Sequence, residues 1–256
     1  DAVVSRGLGD VYKRQGIWEC PNLPLKLDQT KKIWKKEIGG GYSGITISGD
    51  KVFTMDRPSK KNKERVLCYS AKDGNLIWTH EYDANYSGLS YDSGPRASVT
   101  IKDGKVFSFG SIGHMYCLNE TDGKVIWKHD SRESFGAKRP TWGFASSPAI
   151  WKDLIIYQIG GSSGGYVALN PNTGQRIWSS SDDPAGYAMP VFVQHAGQEL
   201  MLAWTPENIR GMIPKTGEVL WSIPYKIKYG VSIALPIYYE NIVRFAVIGT
   251  DPKPFN

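Results

Sequence analysis

His114-Met115-Tyr116-Cys117 places two metal-ligand residue types three positions apart, the spacing of half a zinc site. Gly160-Gly161-Ser162-Ser163-Gly164-Gly165 has the composition of a phosphate cradle, Ser146 and Ser147 offer hydroxyls, and His80, His129 and His195 offer bases. None of these assembles into a site. Alternation along a strand puts residues 114 and 117 on opposite faces, and no second pair completes four ligands. A phosphate cradle needs a helix N-terminus behind it. Here Tyr166-Val167-Ala168-Leu169 reads as a strand, so the glycine run is expected to be a flexible loop. The two serines stand beside Pro148 at a strand start without the glycines of a nucleophile elbow. The remaining histidines read as strand ends or turns with no nucleophile nearby. No catalytic, cofactor-binding or metal residue is assigned.

The elements that would carry such residues come from an internal repeat. A polar turn closed by glycine leads within four residues to tryptophan at the end of a short apolar run: Gly74 to Trp78, Gly123 to Trp127, Gly174 to Trp178 and Gly217 to Trp221. Trp34 marks a weaker copy that lacks the glycine, and the five indoles are spaced 44, 49, 51 and 43 residues apart. Each period reads as four short strands. In one copy these are Arg96 to Ile101, Val106 to Phe109, Met115 to Leu118 and Lys124 to Lys128. The next copy follows with Ser146 to Ile150, Asp153 to Tyr157, Gly165 to Leu169 and Arg176 to Trp178. No helical period appears outside this scheme.

Four-stranded units at this spacing predict an all-β β-propeller, because a single sheet cannot bury both its faces and must be covered by its neighbours. About four complete blades are expected, with partial blades at both ends. A lone fourth strand (Ile33 to Lys36) precedes them, and two strands (Val231 to Pro236 and Ile242 to Ile248) follow. The tryptophan of each last strand should lock one blade to the next.

Residues 5–15 resemble a translated sequencing-library adapter, so residues 1–15 are set aside as a non-native, disordered leader. Residues 16–249 are read as one partial propeller and residues 250–256 as a truncated end. The chain has 28 glycines, 9 tryptophans and 14 tyrosines, which suits many turns and aromatic strand packing. The formal charge of +6 is scattered except at residues 60–65 (Lys60 to Arg65), expected to be a solvated hairpin tip, so no nucleic-acid partner is assigned. No stretch approaches the roughly 18 apolar residues of a membrane helix, so no membrane insertion is expected in this segment. Three cysteines make no disulfide framework. Cys68 and Cys117 take the same repeat position as Ala168 and Gly211, where a small side chain should lie against a neighbouring sheet.

The run Val167-Ala168-Leu169-Asn170-Pro171-Asn172-Thr173-Gly174, followed by Trp178, resembles the pyrroloquinoline-quinone-like (quinoprotein-like) propeller repeat, over about Trp34 to Gly249. Residues 91–98 (Tyr91 to Ser98) and 142–148 (Trp142 to Pro148) resemble secreted propellers of environmental bacteria near the outer-membrane barrel-assembly lipoprotein. The resemblance implies an eight-bladed ring, an open part of which is present here, and a periplasmic or cell-envelope location. WD-type repeats would place aspartate after each tryptophan, whereas Lys, Thr or Ser follows here.

Quinone-dependent alcohol dehydrogenases share the repeat. Membership among them would imply pyrroloquinoline quinone with calcium, an adjacent cysteine pair and a carboxylate cluster. No Cys-Cys dipeptide occurs in this sequence. A non-catalytic binding or assembly scaffold is therefore expected, with a dehydrogenase fragment or the sensor propeller of a larger envelope receptor or kinase as alternatives. Recognition should lie on the face formed by the longer connections between blades and between second and third strands. Tyr42, Tyr91, Arg96, Arg139, Trp142 and Tyr187 lie there, together with Lys138. An aromatic-plus-arginine mixture suits a protein or an extended polymer. Arg96 and Trp142 could instead serve only to pack near the ring axis.

Overall fold

The computed structural model describes residues 31–244 apart from residues 60, 91, 92 and 163. The adapter-like leader, Cys20, Tyr91 and the C-terminal end therefore lie outside the described residues. The chain is an all-β propeller arc with four complete four-stranded blades, each an antiparallel meander in chain order. Blade 1 holds β1 (Thr46–Ser48), β2 (Lys51–Asp56), β3 (Lys63–Ser70) and β4 (Leu76–Asp83). Blade 2 holds β5 (Thr100–Lys102), β6 (Lys105–Phe109), β7 (His114–Asn119) and β8 (Val125–Asp130). Blade 3 holds β9 (Ala149–Trp151), β10 (Leu154–Gln158), β11 (Tyr166–Leu169) and β12 (Arg176–Ser180). Blade 4 holds β13 (Val191–His195), β14 (Gln198–Trp204), β15 (Asn208–Met212) and β16 (Val219–Pro224). A further pair, β17 (Ile237–Tyr239) and β18 (Ile242–Arg244), follows.

The repeated turn explains the repeated sequence. Asn170 Oδ1 accepts from the Asn172 and Thr173 amides, Thr173 Oγ1 accepts from Gln175 N, and Gly174 N donates to Asn170 O with φ at 72°. Gly74, Gly123 and Gly217 hold the same left-handed conformation, at 70°, 71° and 76°. Each glycine also serves as a floor for the preceding blade's indole. A Cβ at Gly174 would fall 2.8 Å from the Trp127 ring, and one at Gly123 would fall 2.6 Å from Trp78. The indole N–H then donates to the carbonyl three residues before the glycine: Trp34 to Ala71, Trp78 to Glu120, Trp127 to Pro171 and Trp178 to Pro214, at 2.8–3.2 Å. Stacking and one directed hydrogen bond fix each blade on the next.

Trp34 makes this contact although Ile33 to Lys36 form no strand, so the expected lone strand is absent. Without a third strand beside it among the described residues, its backbone has no ladder to join. Trp221 lies over Gly211 of its own sheet and is docked on no glycine turn among the described residues.

Trp78, Trp127, Trp178 and Trp221 each sit third in their strands, rather than at the strand end, because the strands run on to Asp83, Asp130, Ser180 and Pro224. The register slips beside it in all four blades, at Cys68/Tyr69, Cys117/Leu118, Ala168/Leu169 and Gly211/Met212. Ile77, Ile126, Ile177 and Leu220 are the extra residues of these bulges and stay exposed, while in the first three blades the bulge aims the following indole at the next blade. Cys68, Cys117, Ala168 and Gly211 pair directly across from those indoles. The small residue thus lies against the next blade, as expected, and is also paired with the indole of its own sheet. Both cysteines are free and buried, and burial pushes their thiols up to about 12.

The core lies in the seams between blades. One cluster joins Phe107, Met115 and Trp127 of blade 2 to Ile155, Tyr157 and Val167 of blade 3, and two more fill the adjoining seams. The innermost strands are also bonded across seams: Thr46 Oγ1 to Val99 O at 2.8 Å, Thr100 Oγ1 to Pro148 O at 2.6 Å, and Ser98 N to Ser147 Oγ at 3.0 Å. This use of residues 96–99 and 146–148 shortens β5 and β9 relative to expectation, and Pro148 has no amide to offer a ladder. The last pair begins at Ile237 rather than Val231, because the turn at Glu240 and Asn241 (φ 50° and 62°) sets the register.

A single helical turn, α1 (Ser131–Phe135), interrupts the all-β scheme between blades 2 and 3. Asp130 caps its start by accepting from Arg132 N, and Gly136 closes it at φ 64°. Five residues are too few for a period to register in sequence.

Trp127→Ala should cost about 3–5 kcal/mol in urea unfolding, as expected for deleting a buried aromatic. Gly174→Ala should cost more than the ~1 kcal/mol of left-handed strain alone, since the new methyl also meets the Trp127 ring. Ile126→Ala, on the exposed bulge beside it, should stay within about 0.5 kcal/mol.

Candidate functional site

The connections between blades (residues 84–99, 131–148 and 181–190) emerge on the same edge as the loops between second and third strands. The opposite edge carries two-residue turns such as Asp103-Gly104 and the glycine turns. On the loop edge, Arg96 is partly buried and spends its guanidinium on backbone and hydroxyl oxygens. It donates to Gly94 O, to Ser111 Oγ at 3.2 Å and to Ser90 O at 3.1 Å. Its Cζ lies 5.6 Å from the centre of the exposed Tyr42 ring, whose hydroxyl donates to Ser93 Oγ at 3.2 Å. Burial lowers the Arg96 pKa, and Tyr86, Tyr42, Glu64 and Tyr187 pull against it.

Trp142 and Tyr187 come from two successive connections and meet with ring centres 5.8 Å apart at 45°. Both are partly buried. Burial raises the Tyr187 phenol, offset by a hydrogen bond from the Trp142 backbone and by the Arg96 charge. The structure thus brings Tyr42, Arg96, Trp142 and Tyr187 together. Arg139 stands aside, with long bonds to Ser87 O (3.4 Å) and Gly88 O (3.3 Å), and Lys138 is exposed. Tyr91 lies outside the described residues. Both arginines brace the connection 84–99, so the packing role held open for Arg96 is fulfilled whatever else it does.

Beneath this face lies Glu64, which the basic run 60–65 leads one to expect on a solvated hairpin tip. It is fully buried and accepts from Tyr82 at 2.7 Å, from Tyr86, and from Ser111 N at 3.0 Å. Arg65 likewise pairs with buried Asp56, Nε to Oδ1 at 2.8 Å. Lys61 and Asn62 are exposed and Lys63 is half-buried, so the tip itself is shorter than expected. Charge runs hide such anchors because composition does not show which way a side chain turns. A tyrosine pair at Tyr82 and Tyr86 was the available clue.

The glycine run forms the loop between β10 and β11, as expected, and Gly160 and Gly161 in it are closely packed. A Cβ at Gly160 would lie 2.1 Å from Ala185 N, and Gly161 bridges Ala137. Strand β11 follows it, and Ser163 lies outside the described residues. Ser146 Oγ donates to Ala188 O at 3.2 Å, while Ser147 Oγ receives Ser98 N. His114 and Cys117 do face opposite ways: the histidine stacks on Tyr82 of blade 1 at 5.4 Å, and Cys117 Sγ approaches Pro171 O of blade 3 at 3.7 Å. His80 lies mid-strand in β4, not at an end, and packs edge-on against Tyr116 at 4.6 Å. Among the described residues no three His, Cys, Asp or Glu side chains stand close enough to hold a metal.

Residues 62–230 match the family described as outer membrane protein assembly factor BamB (PQQ_2). The chain belongs to that family. It is 25% identical over 155 residues to BamB of Shewanella oneidensis, covering 57% of this chain and 35% of that one. It is also 24% identical over 193 residues to the quinoprotein alcohol dehydrogenase PedH of Pseudomonas putida, covering 71% of this chain and 29% of the enzyme. The crystal structure of BamB from Moraxella catarrhalis superposes with a TM-score of 0.52 at 16% identity, over 74% of this chain and 53% of that one. The quinohemoprotein alcohol dehydrogenase of Comamonas testosteroni does so at 0.56 and 16%, over 81% and 39%. The chain spans between 22% and 58% of the curated relatives it matches, and the structural likenesses bear on fold alone. Among the described residues, Glu64, Cys68 and Cys117 do not fit as donors for a quinone with calcium. Glu64 is consumed by three protein donors, and Cys68 and Cys117 lie in separate blades, each opposite its own indole.

The His80 and His114 rings, stacked around Tyr82 and Tyr116 in the first seam, give a pH prediction. Burial holds both below the ordinary imidazole value of 6.5, with Lys128 adding to the effect at His80 and Asp130 opposing it at His114. The unfolded chain therefore binds more protons between the depressed folded values and 6.5. Stability should be full above about pH 6.5 and fall as pH drops through that window. Urea midpoints measured from pH 7.5 to 5 should show this fall, and the His80→Gln/His114→Gln double variant should flatten it.

Proposed function

We propose that this arc is a non-catalytic binding scaffold of the bacterial cell envelope, and that the loop edge holds its partner, a protein or an extended polymer such as a glycan. The observation carrying this reading is the pairing of Trp142 with Tyr187 beside Tyr42 and Arg96. Rigid aromatic side chains with a nearby arginine are what interface hot spots favour. Sheets locked at every seam hold the loops that present them. The family's role in outer membrane protein assembly supports an envelope location and a protein as the first candidate.

Immobilised protein should be titrated with solubilised outer-membrane assembly complex from Shewanella oneidensis and, separately, with soluble peptidoglycan fragments. One of the two should bind. Trp142→Ala and Tyr187→Ala should each weaken it by about tenfold or more, with unchanged melting temperatures. Lys215→Ala, on the opposite edge, should bind as the parent does. Equal capture by both aromatic variants would remove the loop edge from the account.

The similarity to PedH favours a second reading, a portion of a quinone-dependent alcohol dehydrogenase. Dye-linked alcohol oxidation on adding pyrroloquinoline quinone with calcium would establish it. The scaffold reading expects none.

A further inference from the structure

The seams between blades 1 and 2 and between blades 2 and 3 share one plan at their short-turn edge but differ in charge: Asp50 beside Lys51 and Glu120 opposite it give way to Gly104 and Pro171 at the second seam, and Ser48 gives way to Lys102. Lys51 and Lys105 each open the second strand of a blade, directly after its two-residue turn. Glu120 and Pro171 each stand three residues before a turn glycine and lend a carbonyl to the docked indole. At the first seam the Lys51 ammonium faces Glu120 at 3.9 Å and Asp50 at 3.7 Å, and the Glu120 side chain is only 14% exposed. At the second seam proline stands in place of glutamate, and its ring closes on its own backbone without reaching the lysine.

Lys105 then has no carboxylate within ion-pair distance among the described residues, and it makes one long bond, 3.4 Å, to Asp103 O. A recess of about 110 Å³ remains between Lys102, Lys105, Asn170 and Pro171, with exposed Asp103 and Asp153 on its rim. Cys68 lies near Lys51 together with Glu120 and Asp50, whereas the charge acting on Cys117 is Lys105.

We propose that this recess binds a carboxylate, which takes the position that Glu120 fills at the preceding seam and sets its anionic group against Lys105. The volume admits an acid of two or three carbons and is far below the ~300 Å³ at which drug-sized pockets begin. Asp103 and Asp153 oppose a second negative charge, so a monocarboxylate binds more tightly than a dianion. One charge-assisted contact at an open recess implies millimolar affinity. The carboxylate can come from a free short-chain acid or from a glutamate side chain of a protein.

Amide spectra of the isotope-labelled full chain, titrated at constant ionic strength with propionate, succinate or doubly blocked glutamate, distinguish these sources. Saturable shifts at Lys105 and Asn170 with propionate identify a free acid, and shifts with blocked glutamate alone identify a protein side chain. Either outcome supports the site, and succinate should bind more weakly than either. Lys105→Gln should lose about tenfold or more in affinity. Pro171→Glu, which rebuilds the internal ion pair, should lose it equally while the Trp127 indole signal stays in place. Lys51→Gln should change nothing. Shifts that never saturate, that persist in Lys105→Gln, or that survive Pro171→Glu at parental affinity would overturn the proposal.

Discussion

The architecture depends on one contact, an indole laid on a glycine that has no side chain to displace it. Trp34, Trp78, Trp127 and Trp178 each cover the turn glycine of the blade that follows and donate to a carbonyl three residues before it. The contact joins two constraints in one place. Glycine is needed for the left-handed turn, and it is needed again because any methyl would enter the ring. A sheet with two apolar faces is thereby clasped at its outer edge, while Thr46, Thr100, Ser98 and Ser147 bond the inner edges across the same seams.

This arrangement separates frame from display. The edge built from glycine turns and two-residue turns has little freedom, since each turn is also a docking floor or a register device. The other edge is free to lengthen, and it holds a helical turn, two bracing arginines and a cluster of aromatic rings. Buried Glu64 underpins that edge by drawing Tyr82, Tyr86 and Ser111 onto one carboxylate. The aromatic cluster is thus set on a polar core that is satisfied from three sides.

The frame was legible in sequence because its signal repeats. Glycine, a bulged aliphatic and tryptophan recur in each blade, and the position opposite the indole is always small. The parts that were not legible occur once. Glu64 and Arg65 look like members of a basic run, yet one is wholly buried and the other reaches back to Asp56. Gly160 and its neighbours look like a flexible loop, yet they are glycines because adjacent backbone lies against them. The candidate face was half legible. Residue type pointed to Tyr42, Arg96, Trp142 and Tyr187, but only geometry separated them from Arg139 and showed that Arg96 is already engaged.

The shielding of the turn glycines in solution tests the clasp most directly. Protons above an indole face move upfield, so the α-protons of Gly74, Gly123, Gly174 and Gly217 should all be displaced in that sense. Replacing Trp127 by leucine should return only Gly174 to its ordinary position and leave the other three unmoved. If the four glycines resonate normally in the intact protein, or if all of them shift together when one indole is removed, blades are not joined pairwise by these contacts.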